Sequence, residues 1–204
     1  MAEKSSEHEK RYQISKKTIQ GYYLLNNTLV ISITAIFAAF TCGMTLLFPF
    51  LFPQGFINIG DLAVMITALL FGPIIGLISG GIGPMFADFI LGYPQTAFFT
   101  LVIKMLEGFL VGLIANPRRH YRDLSVRDIM GVIAGGLTMV FGYFIVELYI
   151  FRDPGWAFGE LPLNFIVQFG IGAIGSLLFV KTSRKNIIIN FPQVFDKIFI
   201  IEES

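Results

Sequence analysis

Charged residues are scarce in this sequence. Asp, Glu, Lys and Arg make up 14% of its 204 residues, whereas a soluble domain carries about 25%. Histidine occurs only as His8 and His120, and the one cysteine, Cys42, excludes an internal disulfide. No Walker A pattern is present, so the chain has no P-loop for binding ATP. Together with 54% hydrophobic residues, the shortage of charge indicates an integral membrane protein.

Six apolar segments are candidates for crossing the hydrocarbon core, which takes about 20 apolar residues. They cover about 24–48, 59–70, 73–91, 97–115, 128–151 and 161–180. The stretch 59–91 is too long for one crossing at about 1.5 Å per residue, and Phe71-Gly72-Pro73 divides it into two. The sequence therefore predicts an all-α bundle of six transmembrane helices.

Basic residues are concentrated on one side of this predicted bundle. All but two of the 15 Lys and Arg residues lie before the first span, between the fourth and fifth spans, or after the sixth span; the exceptions are Lys104 and Arg152. Because cytoplasmic loops are rich in Lys and Arg, both termini are predicted to be cytoplasmic. We expect a tail at 1–23, a multi-pass cell-membrane domain at 24–181 and a cytoplasmic segment at 182–204. Nothing else in these basic runs suggests nucleic-acid binding.

Polar side chains within the spans lie in the half of the membrane predicted to face outward. Such groups are costly in lipid and mark binding sites by default. The predicted substrate contacts are Asn58, Tyr93, Lys104, Glu107, Glu147, Trp156, Asn164 and Gln168. Because the inner half is nearly free of ionisable side chains, this distribution favours a binding cup over a channel.

Each of these residues also has a structural interpretation. Asn58 and Asp61 could cap the second helix, and Lys104 could pair with Asp88 or with Glu107. Other structural roles are open for the rest: snorkelling for Glu147, interhelical hydrogen bonds for Asn164 and Gln168, and an aromatic belt for Tyr93 and Trp156. The stretch 191–201 could be an amphipathic piece on the membrane surface or a simple tail.

Several spaced motifs resemble the S components (substrate-binding subunits) of energy-coupling-factor transporters. They are INIGD at 57–61, ALLFGP at 68–73, GGIG at 80–83 followed by Ala87-Asp88, GYP at 92–94 and IKMLEG at 103–108. The resemblance is specific over about 35–115 and looser as far as 175. The most similar subgroup contains the riboflavin, pyridoxine and hydroxymethylpyrimidine carriers.

The resemblance implies high-affinity uptake of a vitamin or vitamin precursor, with hydroxymethylpyrimidine or pyridoxine slightly favoured over riboflavin. It implies a site near the outer face, capped by the loop at about 49–59. It also implies that Ala35 and Ala39, which are four residues apart on one helix face, dock on a transmembrane coupling subunit. Two cytoplasmic ATPase subunits would power this complex. No catalytic residue, metal ligand or cofactor is expected.

Two other classes of membrane protein are alternatives. An intramembrane protease needs metal ligands or a base beside its nucleophile, but both histidines lie in predicted cytoplasmic segments, so an enzyme is not expected. A stand-alone secondary transporter of a small heterocycle would be built from two matched halves with interrupted helices. Six spans without such a pair argue against it, although a dimer could supply the second half.

Overall fold

Apolar helices make up most of the computed structural model, which describes residues 18–19, 21–24, 27–47, 49–51 and 56–200. The main helices are α1 Thr28–Leu47, α2 Gly60–Phe71, α3 Pro73–Leu91, α4 Pro94–Ala115, α5 Val126–Ile150 and α6 Pro154–Asn190, followed by the short α7 Pro192–Phe195. Two small hairpins pair β1 Thr18–Ile19 with β2 Tyr22–Tyr23, and β3 Phe50–Leu51 with β4 Phe56–Ile57. The prediction of an all-α membrane bundle is confirmed.

The second and third helices are separated at Gly72, as the sequence predicts. Gly72 has a φ of 85°, a left-handed value that favours glycine, and Pro73 begins α3. At 12 residues, α2 is about 18 Å long, shorter than a hydrocarbon core of about 30 Å. Ten of those 12 residues are buried, so α2 is the central helix of the bundle. The five other main helices are long and apolar enough to cross a membrane.

Helices α3 and α4 approach each other closely at paired glycines. A Cβ on Gly76 would stand 2.8 Å from the Gly108 carbonyl oxygen, which is too close for any other residue type. Small residues allow such backbone contact in membrane bundles. This contact joins the start of α3 to the end of α4, whereas Asp88 and Thr100 lie toward the opposite ends of the two helices.

Helix α6 is longer than the predicted sixth span in both directions. It begins at Pro154 rather than near Leu161 and continues to Asn190 rather than ending near Val180. Pro162 lies inside it and is followed by a π-helical segment at Asn164–Phe169. Its 37 residues extend about 55 Å, so part of α6 lies beyond the hydrocarbon core.

The first and last described parts of the chain meet at the basic end of the bundle, where the loop between α4 and α5 also lies. Tyr22 forms a β-bridge with Phe199 and donates a hydrogen bond from its hydroxyl to Asn116 Oδ1, 3.0 Å away. Burial raises the pKa of the Tyr22 phenol, so this hydroxyl keeps its proton. Phe195 and Phe199 are buried in the same cluster. The described part of 191–201 is therefore packed against the bundle.

A buried ion pair joins α6 to the start of α5 at this end. Arg184 donates to Asp128 at 2.6 Å and to the backbone oxygens of His120 and Asp123 at 2.5 and 2.9 Å. Both charged side chains are fully buried. The predicted boundaries of the cytoplasmic segments stay predictions, and most of the 1–23 tail lies outside the described residues.

Candidate functional site

A cavity lies among the helix ends opposite the basic end. Six of the eight predicted substrate contacts line it: Asn58, Lys104, Glu147, Trp156, Asn164 and Gln168. The rest of its wall comes from residues that the sequence did not single out as contacts: Thr45, Phe56, Pro84, Asp88, Thr96, Thr100, Tyr143 and Glu160. All six main helices and the hairpin strand β4 therefore meet around or beneath this cavity.

The cavity is small. Its volume of about 40 Å³ is enough for roughly three waters at 10–15 Å³ each. A ligand with a heterocyclic ring needs more space, so binding requires some part of the wall to move. Phe56 on β4 is part of that wall, and its ring contacts the Tyr93 ring with centroids 5.5 Å apart. Tyr93 therefore supports the hairpin rather than lining the cavity.

Lys104 forms the floor of the cavity together with two acids. Its Nζ donates to Glu107 Oε2 at 2.9 Å and also bonds Asp61 Oδ1. All three side chains are at least 97% buried. Glu107 lies below Lys104 and does not line the cavity, so its predicted contact with substrate stays a prediction that would require Lys104 to move.

Asp61 and Asp88 differ from their sequence-based interpretations. Asp61 does not simply cap α2, because it is fully buried and joins α2 to α4 through Lys104; Asn58 Oδ1 instead accepts from the Gly60 amide at 2.6 Å. The suggested Asp88–Lys104 pair does not form. Asp88 Oδ2 accepts from the hydroxyls of Thr96 and Thr100 at 2.9 and 2.6 Å.

The wall opposite Asp88 is built from α5 and α6. Glu147 lies on a π-helical turn at Val146–Ile150, and Asn164 and Gln168 lie on the one at Asn164–Phe169. Such insertions are frequent at functional sites because they redirect side chains. Gln168 Nε2 donates to Asn164 Oδ1 at 2.5 Å, so these amides bond each other within α6 rather than a neighbouring helix.

Glu160 is the contact that sequence reasoning missed on this wall. It lies one residue before the predicted sixth span at about 161–180, whereas the structure places it inside α6. A signal was nevertheless present, since Trp156, Glu160, Asn164 and Gln168 are spaced four residues apart, and residues at that spacing share one helix face. Helix α6 presents that face to the cavity.

A separate, apolar groove lies on the exposed side of the bundle, between α1 and α3. Its volume is about 590 Å³. Ala35 and Ala39 line it and are exposed, so they do not belong to the core that the structure describes. The other lining residues are Ile31, Thr34, Ala38, Cys42, Ile78, Ile82, Phe86 and Ile90.

Known proteins match most of this chain. A family model described as "ECF-type riboflavin transporter, S component" matches residues 25–185. A thiamine precursor transporter, HmpT, of Lactococcus lactis subsp. cremoris is 31% identical over 153 residues, which are 72% of this chain and 83% of the relative. An uncharacterized protein of Pyrococcus woesei is 41% identical over 133 residues, 64% of this chain and 85% of the relative.

Proposed function

Because the chain belongs to the S component family of ECF-type riboflavin transporters, we propose that it captures a vitamin or vitamin precursor with high affinity in the cavity described above. The observation that carries this proposal is a polar cavity at one end of an otherwise apolar bundle. Its wall includes Asp88, Lys104, Glu147 and Glu160. Ionisable groups at membrane depth are costly, so their presence marks a functional site by default.

For the substrate, we favour a single-ring compound such as hydroxymethylpyrimidine or pyridoxine over riboflavin. Two observations support this choice. One relative is named a thiamine precursor transporter, and the cavity volume of about 40 Å³ needs less enlargement for one ring than for the three fused rings of a flavin. The Trp156 ring, stacked on Phe151 with centroids 5.1 Å apart, offers a flat wall for such a ring.

For transport, we propose that the apolar groove of α1 and α3 docks on a transmembrane coupling subunit powered by two cytoplasmic ATPases. The groove supports this proposal because its lining includes the small residues Ala35, Ala38 and Ala39. Small side chains let a partner helix approach closely where lipid offers no hydrophobic driving force.

Two measurements test this function. Mass spectrometry of small molecules released from the purified protein by denaturation should detect one of these vitamins. Calorimetric titration should then give tight binding of hydroxymethylpyrimidine or pyridoxine and weaker binding of riboflavin. Binding of riboflavin alone would contradict the choice of substrate, and failure of every vitamin to bind would contradict the function itself.

Uptake in cells distinguishes the proposed function from the alternative, a stand-alone secondary transporter. Cells that carry this chain but no coupling module should bind the labelled vitamin without accumulating it. Adding the coupling and ATPase subunits should restore accumulation. Accumulation by the chain alone, abolished by an ionophore, would favour the secondary transporter.

A further inference from the structure

The cavity and its floor contain an excess of acidic groups. Five carboxyl groups lie there against one amine: Asp61, Asp88, Glu107, Glu147 and Glu160 against Lys104. Lys104 is already bonded to two of the acids, and Asp88 has two hydroxyl donors. Among the described residues, Glu147 and Glu160 are thus the acids that have neither a bond to Lys104 nor a pair of hydroxyl donors.

These two glutamates face each other across the junction of α5 and α6. Their exposed fractions are 2% and 8%, both line the cavity, and each carboxyl group is close enough to interact with the other. Asp153 adds a further negative charge close to Glu147. Two buried carboxylates in contact repel each other unless a proton or a cation lies between them. This end of the cavity therefore attracts positive charge.

The buried polar atoms without partners on the same wall indicate which hydrogen-bonding groups a ligand must supply. On this wall, three buried oxygens have no hydrogen-bond partner among the described residues: Glu147 Oε2, Glu160 Oε1 and Gln168 Oε1. One buried donor, Trp156 Nε1, also has none. A buried polar atom without a partner costs free energy. A ligand that satisfies this wall must therefore bring mainly N–H or O–H donors.

Resting on the function proposed above, we propose that Glu147 and Glu160 form a carboxyl pair that selects a heterocycle bearing an amino group next to a ring nitrogen, bound in its protonated form. With the proton on the ring nitrogen beside the amino group, such a ring presents two parallel N–H donors to a carboxylate, as a guanidinium does. The matching oxo compound presents a carbonyl oxygen at the same place, opposite the acceptor oxygens of the wall. The pair would thus exclude the oxo compound as well as bind the amino compound.

Two ligands of nearly equal size test this selection. The probes are 4-amino-5-hydroxymethyl-2-methylpyrimidine and its 4-oxo analogue, titrated calorimetrically into the purified full-length protein. We expect the amino compound to bind at least about tenfold more tightly, since a hydrogen bond to a charged group is worth on the order of 10- to 100-fold in affinity. The preference should fall by about tenfold or more in Glu147→Gln and in Glu160→Gln, which keep the shape of the side chain but remove its charge.

Asp196→Asn is the matched control. It removes a carboxylate from an exposed position at the other end of the molecule and should keep the wild-type preference. Melting temperatures of all variants should show that each protein is folded. Lack of preference in the wild-type protein would by itself overturn the inference, so the test can fail even if a variant does not fold.

The outcomes separate this inference from the proposed function. Equal affinities in the wild-type protein, tighter binding of the oxo compound, or an unchanged preference in both folded Gln variants would overturn the carboxyl-pair selection. Binding of riboflavin or pyridoxine with no binding of either pyrimidine would overturn it as well, while leaving vitamin capture intact. Absence of binding by every vitamin tested would overturn both.

Discussion

Replacing Lys104 with methionine would remove the amine that lies between two buried carboxyl groups while nearly preserving the length of the side chain. Lys104 is 3% exposed, and both Asp61 and Glu107 are fully buried. Breaking a buried ion pair by removing one partner costs about 3–5 kcal/mol, because the remaining charge is left uncompensated. We therefore expect Lys104→Met to lower the free energy of unfolding by about this amount, or roughly 10²- to 10⁴-fold in the folding equilibrium.

Neutralising the two acids should reverse most of this loss. In the triple variant Lys104→Met, Asp61→Asn, Glu107→Gln, no charge remains on the floor, and replacing a buried ion pair by neutral groups is often close to neutral in stability. The assay is reversible unfolding in mixed micelles by increasing SDS, followed through the fluorescence of Trp156, the protein's single tryptophan. Lys181→Met, at an exposed position, is the matched control and should change stability by less than about 0.5 kcal/mol.

Two results would refute this reasoning. Wild-type stability of Lys104→Met would mean that the ion pairs contribute little to the fold. A triple variant no more stable than Lys104→Met would mean that the methionine, rather than the uncompensated acids, disturbs the packing.

Three further changes test other parts of the molecule. Ala35→Trp should abolish uptake in cells while leaving the vitamin's affinity within about twofold, because a large side chain in the groove holds a partner helix away; Ile36→Trp, exposed on the same helix but outside the groove, should leave uptake unchanged. Arg184→Met should lower the free energy of unfolding by about 3–5 kcal/mol in SDS titration, because it leaves a buried aspartate unpaired. Single cysteines placed at Arg119 and at Gly155, in a background without the native cysteine, should label from opposite faces of the membrane, and labelling from one face would contradict the predicted orientation.

Hydropathy and the Gly72-Pro73 pair were sufficient to predict the six helices. Backbone N–H and C=O groups without hydrogen bonds are so costly in lipid that an apolar segment there has few alternatives to a helix. The same reasoning could not show that α2 is the central helix. Its length of 12 residues is compatible with a surface segment, and only the packing of its neighbours shows that ten of its residues are buried. Because a transmembrane helix is apolar on all sides, its sequence does not reveal which face packs against other helices and which face contacts lipid.

Partners of the buried charges were the least predictable feature of the site. The Lys104–Glu107 pair is local and followed from i, i+3 spacing. The Lys104–Asp61 pair joins residues 43 positions apart and depends on the rotation of α2 against α4, about which the sequence carries no direct signal. Glu160 lies just before the predicted start of the sixth span. Helix α6 nevertheless includes it, because a proline inside a helix is tolerated where a π-helical segment and neighbouring helices satisfy the freed backbone groups.

Helix α1 connects the apolar groove to the cavity. Its Ala35 and Ala39 face the groove, and Thr45, six residues further along and thus about 9 Å along the axis, lines the cavity. Between them, the Thr41 hydroxyl donates to the Ser79 carbonyl oxygen on α3 at 2.8 Å. Because a helix moves largely as a rigid element, a partner that displaced α1 from α3 at the groove would also move Thr45 in the cavity wall. The hairpin strand β3 begins three residues after α1 ends, so the same displacement would reach the hairpin that carries Phe56.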